Sequence, residues 1–224
     1  GGYLVMPNGV DFPKGRVDES LVREVTKDFD LPENVPMFLF VGRMMWYKNI
    51  KIILEACEIL KERGRDFRLL MLGMGPDEGA IKKYTAKLNL NDKVIYTGQL
   101  LDRSELQIYY STADLLVFPS MFDTNGLVVR EAAASSTPSL LVEGSCAAEG
   151  ITDCETGFLC LETAHSVATS IDKIIDNKDL LNRVGKNAQN DIYISWDDSI
   201  KNAYDRYQVV IDKFNSTPHE PYKY

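Results

Sequence analysis

Asp123 and Glu131 stand eight positions apart in the run Asp123-Thr124-Asn125-Gly126-Leu127-Val128-Val129-Arg130-Glu131-Ala132. The stretch before it, Asp114 to Pro119, reads as a strand. Asp123 therefore falls on a loop at a strand's carboxyl end, and Glu131 falls inside the next helix, about two turns along. A ligand at this loop would meet one carboxylate, then the free amides of Asn125, Gly126 and Leu127 at a helix start, then a second carboxylate. Helix amides and the helix dipole favour anions. The set suits a molecule with hydroxyls at both ends and a diphosphate between them, which is a nucleotide sugar. Gly42-Arg43 and Lys48 form a second constellation. Arg43 leaves the carboxyl end of an earlier strand and Lys48 precedes a helix, so two cations, one a fork and one a point charge, are available to a diphosphate. Each of these residues taken singly also reads as ordinary solvated surface. Trp46 and Tyr47, between the two cations, suit packing or substrate contact equally.

The elements that must position these residues alternate along the chain. Apolar runs at 36–42, 67–72, 93–97, 115–118, 139–142 and 157–161 read as strands. Helical patterns cover 49–63, 79–88, a segment from Asp102 or Ser104 to about Ser111, 126–135, and then 164–176, 179–191 and 196–214. Repeated strand-helix units with apolar strands predict an α/β fold, a single doubly wound Rossmann-like parallel sheet. In such sheets ligands bind beyond the carboxyl ends of the strands. Gly73-Met74-Gly75-Pro76 and Gly98 lie at such ends. They do not spell Gly-x-Gly-x-x-Gly, so a nicotinamide dinucleotide is not supported.

Composition excludes several classes. The 224 residues are 45% hydrophobic and carry a net charge of −8, which suits a packed core and disfavours nucleic acid as a partner. No apolar run reaches the roughly 18 residues of a membrane span. The four cysteines form no Cys-x-x-Cys pair, and Cys57 falls on the apolar side of a helix; reduced thiols in a cytoplasmic protein follow. His165 and His219 are too isolated for a metal cluster, so no metal is expected.

The ordered set Pro7-Asn8-Gly9-Val10-Asp11, Val41-Gly42-Arg43 with Lys48, Gly73-Met74-Gly75-Pro76, Ala113-Asp114, Phe118-Pro119-Ser120, Asp123 through Glu131-Ala132, Pro138 and Gly150 through Leu159 resembles the carboxyl-terminal half of family 4 retaining glycosyltransferases, the glycosyl transferases group 1, of GT-B fold. The resemblance implies two Rossmann-like halves with the active site between them, of which this chain is the donor half. It implies an interdomain connection in 1–12, a nucleotide-sugar-binding domain at 13–194, a helix at 195–214 that crosses back to an amino-terminal acceptor domain, and a tail at 215–224. The opening Gly1-Gly2-Tyr3, without an initiator Met, fits a piece of a longer protein.

The same resemblance assigns roles. Asp123 replaces the family's first Glu and would contact the donor sugar's hydroxyls; Glu131 would grip the ribose; Arg43 and Lys48 would hold the distal phosphate. The base would sit near Gly73, Gly75 and Gly98 to Leu100, with Gly42, Thr124, Asn125, Gly126 and Leu127 around the diphosphate and sugar. The expected donor is a UDP-sugar, used without a metal or other cofactor. The acceptor is a saccharide or a lipid, and membrane contact at the inner face would come through the other half. Ser136 stands where the family usually has Gly, and Arg130 where it usually has an apolar residue. The Asp123 and Ser136 departures leave open a nucleotide-sugar-binding module without transfer, and the fold alone leaves open a GT-B sugar-nucleotide epimerase.

Overall fold

Met37–Val41 (β1) is buried at every position, as a strand covered by helices on both faces must be. Arg68–Leu72 (β2), Leu115–Phe118 (β4) and Ser139–Val142 (β5) are likewise buried throughout. Val94–Gly98 (β3) is half-buried and closes one edge, and Phe158–Cys160 (β6) closes the other. In the computed structural model, which describes residues 6–27, 29, 32, 34–98, 100, 103–123 and 126–216, these strands form one sheet in the order β3-β2-β1-β4-β5-β6. Every pairing is parallel. The doubly wound α/β sheet expected from the sequence is the observed fold.

The helices are Glu19–Thr26 (α1), Ile50–Glu62 (α2), Glu78–Lys87 (α3), Arg103–Thr112 (α4), Leu127–Ala134 (α5), Ala164–Ile174 (α6), Lys178–Asp191 (α7) and Trp196–Ser216 (α8). Expected boundaries agree with these to within two residues. α1 is an addition: it is eight residues long, buries only Thr26, and is started by Asp18, whose carboxylate accepts from the Ser20 amide at 2.8 Å. α2 packs against α6 and α3, whereas α5 packs against α4 and α7. α2 buries Ile50, Ile53, Leu54, Ala56, Cys57 and Leu60, a single helical face. Cys57 lies in the core as its spacing predicts, and burial pushes its thiol up to about 12.

The amino-terminal segment is docked on this body. Val10 and Phe12 are buried, the Val10 amide donates to the Ile194 carbonyl at 3.0 Å, and Gln107 Nε2 donates to the carbonyls of Pro13 at 2.8 Å and Gly15 at 2.9 Å. α8 behaves differently. It buries Ser199 and Ala203 but exposes Ile200, Tyr204, Tyr207, Ile211 and Phe214, which recur at alternating four- and three-residue steps and so form one apolar stripe. Asn215 and Ser216, expected in the tail, continue this helix, and 217–224 lie outside the described residues.

Two motif pairs of the sequence have structural work. The Asp114 carboxylate accepts from the Met37 amide at 2.8 Å, satisfying the first donor of β1. Thr137, fully buried, donates its hydroxyl to the Tyr110 carbonyl at 2.6 Å, pinning the end of α4 to the start of β5. Between them in space, Ser136 adopts φ 55°, the left-handed region in which Gly has no steric penalty. α7 crosses so close that a Cβ on Gly185 would lie 2.0 Å from the Ser136 carbonyl oxygen. Ser136→Gly is expected to raise Tm by ~1–2 °C, because relief of about 1 kcal/mol of left-handed strain outweighs the added chain entropy. Ser136→Val should lower Tm. Calorimetry on the two variants checks this, and a lower Tm for Ser136→Gly would mean that the serine side chain stabilises the turn.

Candidate functional site

β1 and β4 are neighbours, but the helices that follow them lie on opposite faces of the sheet. Their carboxyl-end loops therefore part, leaving the crevice in which open α/β sheets bind ligands. Gly42-Arg43 leaves β1 there, and Pro119 to Asp123 leaves β4. The loops are bridged where the sequence places its charges. Lys48 Nζ donates to Asp123 Oδ2 at 2.7 Å, with the two side chains only 12% and 20% exposed. The ammonium also lies 5.2 Å from the Tyr47 ring centroid and 5.7 Å from that of Phe118, within cation–π range. The other Asp123 oxygen accepts a long contact, 3.4 Å, from the Gly126 amide.

Local backbone explains how Lys48 reaches this point. Trp46–Lys48 forms a single 3-10 turn, and Asn49 follows at φ 58° before α2 begins; Asn is among the few residues that enter this region readily. The Asn49 amide nitrogen then donates to the Pro119 carbonyl at 2.8 Å and to Glu162 Oε1 at 2.7 Å. Asn49 thus ties together the loops after β1, β4 and β6, a role its polar side chain in a loop did not announce. Of the two aromatics between the cations, Trp46 packs edge-on against Tyr84, with centroids 5.9 Å apart, and Tyr47 stays exposed beside Lys48.

Arg43 is exposed, and its guanidinium makes no hydrogen bond or ion pair among the described residues. It stands at the rim of a cleft of about 410 Å³, lined also by Val41, Gly42, Gly73, Leu100 and Leu106. This is the place expected for the base. Gly75 and Gly98 are not among its lining residues. Gly75 lets the loop after β2 cross the loop after β1, since a Cβ there would lie 2.4 Å from the Met44 carbonyl oxygen. Gly98 turns at φ 76° and accepts from the Gly73 amide at 2.9 Å.

Gly126 caps α5 at φ 52°, and Leu127 opens the helix; Thr124 and Asn125 lie outside the described residues. Glu131 is 3% exposed, so the surface-acid alternative for it fails. Its Oε2 accepts from the Tyr110 hydroxyl at 2.8 Å, inside the domain. Tyr110 was not among the residues the sequence singled out, because an aromatic on the apolar face of α4 reads as core. Arg130 is half-buried; burial lowers its pKa and the nearby Glu149 carboxylate opposes that. Among the described residues no group of three or more His, Cys, Asp or Glu could hold a metal ion.

A lysine–aspartate bridge thus joins the loops after β1 and β4 of a 3-2-1-4-5-6 sheet, Arg43 stands exposed on the first of those loops, and the Glu131 carboxylate is buried on α5. The model of the family described as glycosyl transferases group 1 matches residues 22–191. The chain belongs to this family. It is 25% identical over 189 residues to an uncharacterized glycosyltransferase of Methanocaldococcus jannaschii, covering 83% of this chain and 48% of that protein. Among solved structures, sucrose-phosphate synthase from Thermosynechococcus elongatus aligns with TM-score 0.79 at 25% identity, over 93% of this chain and 52% of that one. Anabaena Alr3699/HepE, solved with UDP and glucose, shares the fold with TM-score 0.75 at 16% identity, over 87% of this chain and 53% of that one. The chain spans about half or less of the curated relatives it matches, from 31% to 48% of their lengths. Its sheet is that of the carboxyl-terminal domain of GT-B group 1 glycosyltransferases.

Within this group 1 domain the crevice depends on Gly73, which sits at φ 134° with an added Cβ 2.0 Å from the Gly42 carbonyl oxygen. Gly73→Ala is expected to force the two loops apart and cost about 3 kcal/mol. Gly98→Ala, where nothing lies within 4 Å, should cost only ~1 kcal/mol of left-handed strain. Thermal unfolding of both variants checks the order; equal losses would show that the close approach of the two loops contributes nothing.

Proposed function

We propose that this chain is the donor-binding half of a retaining glycosyltransferase that takes its sugar from a nucleoside diphosphate sugar, with UDP as the first candidate nucleotide. The observation that carries the reading is the Lys48–Asp123 bridge, largely desolvated at the mouth of the crevice beside the exposed Arg43. An anion entering there meets Arg43 at once and can take Lys48 over from Asp123. Asp123, released, is then a hydrogen-bond acceptor for sugar hydroxyls. Glu131 serves the ribose, and the cleft between Gly42, Gly73 and Leu100 takes the base. The choice of UDP draws on the UDP and glucose bound by Anabaena Alr3699/HepE, a protein of the same fold.

In this mechanism the leaving diphosphate gains charge as the bond to the sugar breaks. Arg43, Lys48 and the amides at the start of α5 stabilise that charge, in a site where donors fixed in advance are worth more than in water. The sugar passes through an oxocarbenium-like state, and a phosphate oxygen of the donor helps to take the acceptor's proton. Asp123 and Glu131 act as binding acids and not as covalent nucleophiles. The acceptor, a saccharide or a lipid, is held by an amino-terminal half. We place that half against the exposed stripe of α8, which shares Tyr207 with a depression of about 270 Å³ lined also by Met6, Ala203, Arg206, Val209 and Val210. Patches of this kind mark surfaces that a partner covers. Among the described residues no helix is long and apolar enough to cross a membrane, and any contact with the inner membrane face falls to the other half.

Calorimetric titration with UDP, GDP and ADP tests the donor half directly. One nucleotide should bind, and Glu131→Ala should weaken it; no binding to the intact protein would sink the reading. In the intact enzyme Arg43→Ala and Lys48→Ala are each expected to lower kcat/KM by about a hundredfold, near 3 kcal/mol of barrier. Donor binding without transfer or hydrolysis would favour a binding module, and an epimerised donor product would identify an epimerase.

A further inference from the structure

Glu131 is nearly sealed from solvent, yet it is the acid on which the ribose depends in the reading above. A carboxylate on a flexible side chain serves as a directed acceptor only if its plane is fixed. Among the described residues a phenol is hydrogen-bonded to Glu131. Tyr110 is 0% exposed and donates its hydroxyl to Glu131 Oε2 at 2.8 Å.

Tyr110 is itself immobilised from three sides. Its carbonyl accepts from the Thr137 hydroxyl at 2.6 Å. Its ring lies against Phe12, with centroids 6.1 Å apart, and the Phe12 carbonyl accepts from the Tyr193 hydroxyl at 2.9 Å. It also shares a face of α4 with Leu106, one turn nearer the crevice, which lines the cleft expected to take the base. The phenol is thus anchored by the docked amino-terminal segment and by the loop before β5, and it reaches across to α5. A packing role alone needs the ring and not the hydroxyl.

We propose that Tyr110 is a positioning residue for ribose recognition: it holds the Glu131 carboxylate in the orientation that meets the ribose hydroxyls. The proposal rests on the donor-half reading, and the test separates the two. Affinities for UDP and for 2′,3′-dideoxyuridine diphosphate are measured on the intact protein, with the corresponding guanine or adenine pair if the titration selects that base. The wild type should prefer the ribonucleotide by about tenfold or more, the worth of hydrogen bonds to a charged group. Tyr110→Phe should narrow that preference to about threefold or less while leaving the dideoxy affinity unchanged. Thr137→Val cuts a tie on the same helix without touching Glu131; it should lower Tm and keep the preference.

If the wild type does not distinguish the two nucleotides, the ribose role of Glu131 fails and the proposal with it. If it distinguishes them and Tyr110→Phe does so equally well, the donor-half reading stands and the proposal is overturned. A loss of preference in Thr137→Val equal to that in Tyr110→Phe also overturns it, since general loosening would then suffice. Should Tyr110→Phe not fold, the wild-type complex with UDP is solved: a Tyr110–Glu131 bond kept while Glu131 meets the ribose hydroxyls supports the proposal, and a bond broken on binding overturns it.

Discussion

β1 and β4 run side by side in the middle of the sheet, but the helices leaving them pack on opposite faces. Right-handed crossovers leave no other arrangement once the strand order runs 3-2-1-4-5-6. The backbone beyond β1 and β4 must therefore diverge, and polar groups in the gap are neither covered by a helix nor wholly exposed. The charged residues proposed for donor binding lie along that gap and on the helix that follows β4. Arg43 and Lys48 come from one side of it, Asp123 and the start of α5 from the other, and Glu131 lies deeper along α5. The Lys48–Asp123 bridge and the Asn49 amide hold the two sides at a fixed separation.

The partial burial of that bridge matters for its chemistry. Two charges with little solvent exposure attract strongly but have also lost hydration. In the proposed reading, exchange of Asp123 for a diphosphate would replace one desolvated partner of Lys48 with another, so the lysine would not have to be stripped of water. Asp123 is shorter by one methylene than the Glu of related enzymes, and in this structure its reach suffices for Lys48 and for a long contact with the Gly126 amide. The aromatic rings of Tyr47 and Phe118 flank the same ammonium. Such walls keep the dielectric low, which is where a fixed cation has the most effect on developing charge.

Much of the glycine content of the crevice is committed to backbone packing. Gly73 and Gly75 allow the loop after β2 to lie directly on the loop after β1, with Gly42 and Met44 carbonyls where side chains would be. The loops after β1 and β2 therefore meet through main chain. Asp114 and Thr137 secure the strands and α4 from the other end.

The sequence alone determined the elements. Apolar runs with short helical patterns between them dictate a parallel sheet, because such strands have no polar face to give to water. It also placed Arg43, Lys48, Asp123 and Glu131 at strand ends and on the following helix, since position relative to a strand is a local property. Cys57 was legible as core for the same reason. What it could not give was which of these groups touch. The Lys48–Asp123 bridge joins residues 75 positions apart and the Asn49–Pro119 bond residues 70 apart, and only the sheet order brings them together. Tyr110 and Glu131 are 21 apart; the sequence marked Glu131 as a site carboxylate and did not single out its phenol partner. Their meeting is a product of α4 and α5 packing on one face of the sheet, and no local pattern records it.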